Sequence, residues 1–239
     1  MMETKPYKKT ILWNGDSICY GGVVQGSWAT RIAALFEADG KNYSRGGGTI
    51  TEEPPRLKSG AERHSVSATL ALMHEEYPEA DYILLEGGTN DADLFDAEIR
   101  EGRPDRFGHL DPLDFSGEYD VRTFTGALES VFYRAISLWP RARIGYIVAQ
   151  KMGTSRHVLY NRRRYFDRAV AVCRKWGIPY IDLWETCHLN PCHPAHYYRE
   201  NTADENRENN IGYYMDSQHL TGNGYDLTAD LIAKWLLRI

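Results

Sequence analysis

Residues 81–91 read Asp-Tyr-Ile-Leu-Leu-Glu-Gly-Gly-Thr-Asn-Asp, or DYILLEGGTND. The run Asp81–Glu86 is short and largely apolar, and Gly87 and Gly88 end it. An apolar run of this length, bounded by a turn signal, predicts a buried strand. The polar cluster Thr89-Asn90-Asp91 then falls at the carboxyl end of that strand. The same reading applies on either side. Thr10–Trp13 (TILW) leads to Gly15, and Arg143–Ala149 (RIGYIVA) and Tyr180–Leu183 are further strands. Asn42–Ser44 is a weaker strand candidate that runs into Gly46, Gly47 and Gly48.

Helical patterns lie between these runs. Trp28, Ile32, Leu35 and Phe36 recur at helical spacing behind Ser27, a good capping type. Ser65–Tyr77 is stopped by Pro78, and Val121–Trp139 by Pro140. Val158–Trp176 is closed by Gly177, and Leu227–Leu237 is a terminal helix. Strands alternating with helices imply parallel βαβ units, hence an α/β protein with three layers and a mostly parallel, five-stranded sheet. The expectation is one domain over residues 1–239. Two polar stretches, Asp91–Asp120 and Thr186–Met215, do not fit the alternation and are expected to be loop insertions.

Composition narrows the function. The 239 residues carry 28 Lys plus Arg against 33 Asp plus Glu, a formal charge of −5. An acidic chain is a poor nucleic-acid binder unless it segregates a basic patch. No apolar run approaches the roughly 20 residues of a membrane helix. The first residues, MMETKPYKKTILWNGDS, show no apolar signal core, and Cys19, Cys173, Cys187 and Cys192 lack framework spacing. A cytoplasmic protein with reduced thiols is expected.

Four clusters carry chemistry: Gly15-Asp16-Ser17-Ile18, the stretch from Asn42 to Thr49, Gly87-Gly88-Thr89-Asn90-Asp91, and Asp216-Ser217-Gln218-His219. In a parallel sheet, the three that follow strands share one rim. A serine hydroxyl needs a base, histidine suits that role, and an aspartate three residues earlier can hold the far imidazole nitrogen. Acyl transfer also needs donors for the oxyanion. The Ser17 N–H, a glycine N–H and an amide side chain could supply them.

In these clusters the chain resembles the SGNH, or GDSL, hydrolases. Ser17 in GDSI matches the nucleophile block, Asn90 in GGTND the asparagine block, and Asp216 with His219 in DSQH the D-x-x-H block. Counted from Asn42, Gly47 matches the oxyanion glycine, with Gly46 and Gly48 as rivals. The resemblance implies a flavodoxin-like α/β/α sandwich and ester hydrolysis without metal or other cofactor. It also implies a catalytic set of Ser17, Asp216 and His219, with an oxyanion hole formed by Ser17, Gly47 and Asn90. The expected substrate is a small-molecule or oligosaccharide ester with a short acyl group, acetyl in particular. A lysophospholipase or acyl-thioesterase is the alternative within the family. A non-catalytic carbohydrate-binding protein on the same fold is the alternative of another class.

Other features have plainer readings. Asp182 is a rival partner for His219 and is read as structural, while Asp16 and Asp91 are read as bonding amides in their own turns. Arg162-Arg163-Arg164 reads as a solvated helix face. Cys187, His188, Cys192, His193 and His196 have ligand-capable types but lack the second half of a structural zinc motif. They are read as a loop that carries His and Tyr toward the site. The pairs Tyr197-Tyr198 and Tyr213-Tyr214 either pack that loop or line an acceptor cleft.

Overall fold

A computed structural model of the protein describes residues 8–21, 26–52, 64–196 and 212–239. Its centre is a sheet of five strands: β1 (Thr10–Asn14), β2 (Asp39–Asn42), β3 (Tyr82–Glu86), β4 (Arg143–Val148) and β5 (Tyr180–Asp182). The spatial order is β2-β1-β3-β4-β5, and every pairing is parallel. β1, β3 and β4 are buried almost throughout because helices cover both faces. Adjacent residues of β4 show this directly. Tyr146 packs edge-on against Phe132 of one helical layer, while a side chain at Gly145 would strike Trp235 of the other. The expected parallel α/β architecture is therefore present.

The helices are α1 (Ser17–Tyr20), α2 (Trp28–Phe36), α3 (Val66–Glu76), α4 (Thr89–Arg100), α5 (Phe124–Leu138), α6 (Arg156–Trp176), α7 (Leu183–Thr186) and α8 (Gly222–Leu236). α2 packs on α8, and α3, α5 and α6 pack in sequence, with α4 against α6. Their ends follow capping chemistry. Ser27, Ser65, Thr123, Ser155 and Thr221 each accept a backbone N–H with the side chain. Thr123 starts α5 three residues later than the apolar pattern from Val121 suggests, and Thr221 starts α8 five residues earlier than Leu227. The glycines of Gly222-Asn223-Gly224 hide that first turn from a reading based on propensity.

Two expectations are corrected. The edge strand is Asp39–Asn42 rather than Asn42–Ser44. Its side chains are mostly exposed and it pairs only with β1, so it needs no apolar signature. The stretch Asp91–Asp120 is not loop throughout, because Thr89–Arg100 is helical. Ala92 and Phe95 are its buried stripe, and the surrounding acidic residues masked that spacing.

In this strand order the connections leave β1 and β3 in opposite directions, and a crevice opens at their carboxyl ends. Ser17 follows β1, and Asn90 follows β3.

Candidate active site

β1 ends at Asn14 and the chain turns at once into α1. Asp16 caps α1, its Oδ1 accepting the Ile18 N–H at 2.8 Å, and Ser17 is the first helical residue. Gly15 is required here because a Cβ would lie 2.6 Å from Glu86 Oε2. That carboxyl accepts the Asp16 N–H at 3.0 Å, so the last residue of β3 holds the turn beside it.

The far side of the crevice is the segment before α8. Asp216 Oδ1 accepts the N–H groups of Gln218 and His219, each at 2.7 Å, which folds D-x-x-H into one tight turn. Its Oδ2 lies 2.7 Å from His219 Nδ1. Although burial raises the Asp216 pKa, the His219 ring and those two N–H groups outweigh it and hold the carboxyl below its usual range. A carboxylate at Nδ1 assigns the proton to that nitrogen. The Nε2 lone pair is left to face Ser17 Oγ at 3.1 Å. A hydroxyl, an imidazole and a carboxylate in this relay can deliver an activated alkoxide to a carbonyl carbon.

The backbone of the turn is clamped from β4's exit. Gln150 Nε2 donates to Gln218 O at 2.8 Å, and Gly153 N–H donates to Ser217 O at 2.6 Å. Tyr214 is fully buried and donates to Lys151 O, so of the pair Tyr213-Tyr214 it packs the segment. Tyr197 and Tyr198 lie outside the described residues.

The glycine segment lies against the Ser17 turn. Arg45 N–H donates to Gly15 O, and Gly48 N–H donates to Arg45 O at 3.1 Å. The Gly48 amide is therefore spent, while those of Gly46 and Gly47 make no hydrogen bond among the described residues. Gly47 has φ +74°, a left-handed value that favours glycine. Asn90 Nδ2 reaches back to the same place, donating to Gly48 O at 2.8 Å and to Asp16 Oδ2 at 3.3 Å. Both of its hydrogens thus have protein acceptors.

Asp91 reaches beyond its own turn: it accepts Ile50 N–H, Thr51 N–H and the Thr51 hydroxyl, forty residues away, besides its own backbone N–H. Asp16 does cap its own turn, and Asp182 is structural: it caps α7 and pairs with Arg163 at 3.0 Å. The arginine run is not a solvated face. Arg162 is buried against Asp93 and Gln218, Arg163 joins Asp167, Asp182 and Glu185, and Arg164 pairs with Asp105 above the Phe107 ring. Of these acidic partners only Asp167 is local, at i,i+4 in α6; charge patterning could not reveal Asp93, Asp105, Asp182 and Glu185, which lie outside α6.

The Cys/His loop does not converge. Cys187 is buried, and burial pushes its thiol up to about 11. Cys192 Sγ instead lies toward the carbonyls of Gly153 and Thr154. His193 Nδ1 and His196 Nδ1 accept nearby backbone N–H groups. Among the described residues, no group of three His, Cys, Asp or Glu could hold a metal ion. Sequence reasoning also missed Glu86, Gln150 and Gln218. Glu86 had a signal: it is the one charged residue inside the run Tyr82–Glu86.

The GDSL-like Lipase/Acylhydrolase family profile matches residues 14–227, which spans all four clusters. The chain belongs to the GDSL-like lipase/acylhydrolase family. It is thus an ester hydrolase of the GDSL type. Solved structures share the fold of this family member. A protein from Lactobacillus plantarum is 20% identical, with 97% of each chain covered and a TM-score of 0.68. A member of the lipolytic protein G-D-S-L family from Veillonella parvula is 16% identical over 97% of this chain and 100% of that one, with a TM-score of 0.61. A family two carbohydrate esterase from Clostridium thermocellum is 15% identical over 98% of this chain and 64% of that one, with a TM-score of 0.58. No curated protein matches the chain. Among the described residues, no helix of this GDSL-type chain is long and apolar enough to cross a membrane.

Proposed function

We propose that this hydrolase is a serine esterase that removes a short acyl group, acetyl, from a carbohydrate or another polar alcohol. The observation that carries the reading is the relay from Ser17 Oγ through His219 Nε2, 3.1 Å away, to Asp216, 2.7 Å from Nδ1. Ser17 Oγ adds to the ester carbonyl carbon as its proton passes to His219 Nε2. Asp216 orients the ring and stabilises the imidazolium. The tetrahedral intermediate collapses, the alcohol leaves with the proton from Nε2, and the acyl group stays on Ser17. Water activated by His219 then releases the acid.

The oxyanion donors are the Ser17 and Gly47 N–H groups and the Asn90 amide. Asn90 joins by exchanging its 3.3 Å contact with Asp16 for the developing oxyanion, keeping the 2.8 Å bond to Gly48 O. The preference for a short acyl group and a polar alcohol rests on segment 186–215, which is polar and rich in Tyr, His and Asn. The same fold serves a carbohydrate esterase, so the scaffold is compatible with that choice.

Ser17→Ala is expected to lower kcat/KM on acetyl esters by roughly ten-thousand-fold or more, and an organophosphonate to label Ser17 in the unaltered protein. Wild-type activity in Ser17→Ala overturns the nucleophile. A panel of acetyl and long-chain esters tests the acyl group. Higher kcat/KM on acetylated sugars supports the reading, and a preference for long chains or thioesters overturns it.

A further inference from the structure

Gln218 lies inside the D-x-x-H turn, between Ser217 and His219. Its side chain folds back on the imidazole, with Nε2 3.4 Å from His219 Nε2, the same nitrogen that faces Ser17. The other end of the amide, Oε1, accepts from Arg162 Nη2 at 2.9 Å. A guanidinium only donates, so this contact fixes which end of the amide faces the imidazole. Arg162 is itself immobilised. Its Nε and Nη2 pair with the two carboxylate oxygens of Asp93 at 3.1 and 2.6 Å, and its side chain is only 6% exposed. Asp93 lies one helical turn after Asn90 in α4. A chain of bonds thus runs from the Asn90 helix to the catalytic nitrogen.

We propose that Gln218 contacts the substrate: its amide N–H donates to the alcohol oxygen of the scissile ester, and Arg162 with Asp93 holds the amide in that orientation. This rests on the reading of Ser17, His219 and Asp216 given above. In the resting state the Nε2 lone pair accepts the Ser17 hydroxyl and faces the Gln218 N–H. Once Ser17 Oγ bonds to the carbonyl carbon, its proton occupies Nε2 and that lone pair is gone. The amide N–H then needs another acceptor. In the next event the bond between carbon and alcohol oxygen breaks, the oxyanion electrons re-form the carbonyl, and the Nε2 proton passes to the departing oxygen. That oxygen must be within reach of Nε2, and so within reach of the amide beside it. Arg162 is a positioning residue in this account.

The departing oxygen carries most charge when the alcohol is a poor leaving group. The amide therefore matters more for an alkyl ester than for an aryl ester. The test is the ratio of kcat/KM for ethyl acetate to that for p-nitrophenyl acetate. In Gln218→Met this ratio is expected to fall about tenfold, the worth of one hydrogen bond in the transition state. Gln218→Ala is expected to do the same, and serves if the longer side chain prevents folding. Arg162→Met is expected to lower the ratio in the same direction, with Arg162→Lys recovering part of it. Phosphonate labelling of Ser17 identifies the variants whose triad is intact. An unchanged ratio in a labelled Gln218 variant overturns the proposal and leaves the triad standing. Activity retained in Ser17→Ala overturns the triad itself.

Discussion

Asp16 is fully buried, one residue before Ser17, and burial pushes its carboxyl up to about 6 even though the Ile18 N–H and Glu86 favour the charged form. Beside it, burial and the Asp16 charge push Glu86 well above its usual range. A carboxyl whose pKa is higher in the folded state binds its proton more tightly there. Stability from this group is therefore full in acid and is lost as pH rises from the ordinary carboxylate range through about 6. Asp16→Asn keeps an oxygen for the Ile18 N–H and cannot ionise. Its Tm is expected to change less than that of the wild type across this window, which thermal melts at a series of pH values check. A parallel decline in both proteins would exclude Asp16 as the source. The sequence showed that an acid belonged in this turn, but its burial against a second carboxyl came from a strand seventy residues away.

At the scale of elements, the first turn of α4 anchors the end of the glycine segment. Asp91 is fully buried, and its two oxygens satisfy two backbone N–H groups and one hydroxyl of Ile50 and Thr51. Asp91→Ala leaves those donors unpaired in the core, at about 1–3 kcal/mol for each. The variant is expected to lose about 3 kcal/mol of stability, read as a lower urea midpoint at unchanged slope. A loss no larger than that of an exposed substitution would show that Ile50 and Thr51 find other partners. α4 was illegible at first because its acidic residues obscured a narrow apolar stripe. The same limit hid the role of Arg162, whose partners Asp93 and Gln218 belong to other elements. The long apolar faces of α5 and α6 had no such ambiguity, and their serine and threonine caps are local signals.

At the scale of the molecule, the C-terminal helix braces the N-terminal turn that carries Ser17. Tyr225 of α8 donates to Ile18 O at 2.7 Å, and Trp28 of α2 packs edge-on against the Tyr225 ring while its Nε1–H donates to Thr228. Trp28 is completely buried. Trp28→Ala opens a cavity between α2 and α8 and is expected to cost about 3–5 kcal/mol. Circular dichroism under urea measures it. Because Tyr225 loses its support, kcat/KM is expected to fall as well, without any substitution at Ser17, Asp216 or His219. Full activity in a destabilised Trp28→Ala would show that the brace does not reach the site.

The alternation of buried strands and helices, and hence the parallel sheet, is written in the order of the residues. That order also placed three polar clusters at strand ends and a fourth ahead of the last helix. Those properties are local: apolar periodicity, glycine and proline punctuation, and capping residues all act within a few positions. What meets at the β1/β3 crevice is set by folding. Folding brought His219 to Ser17, spent the Gly48 amide on Arg45, turned both Asn90 hydrogens inward and set Gln218 against the imidazole. The contacts of His219 with Ser17, of Asn90 with Gly48 and of Arg162 with Gln218 join residues far apart in the chain, and all depend on hydrogen-bond geometry that no local pattern encodes.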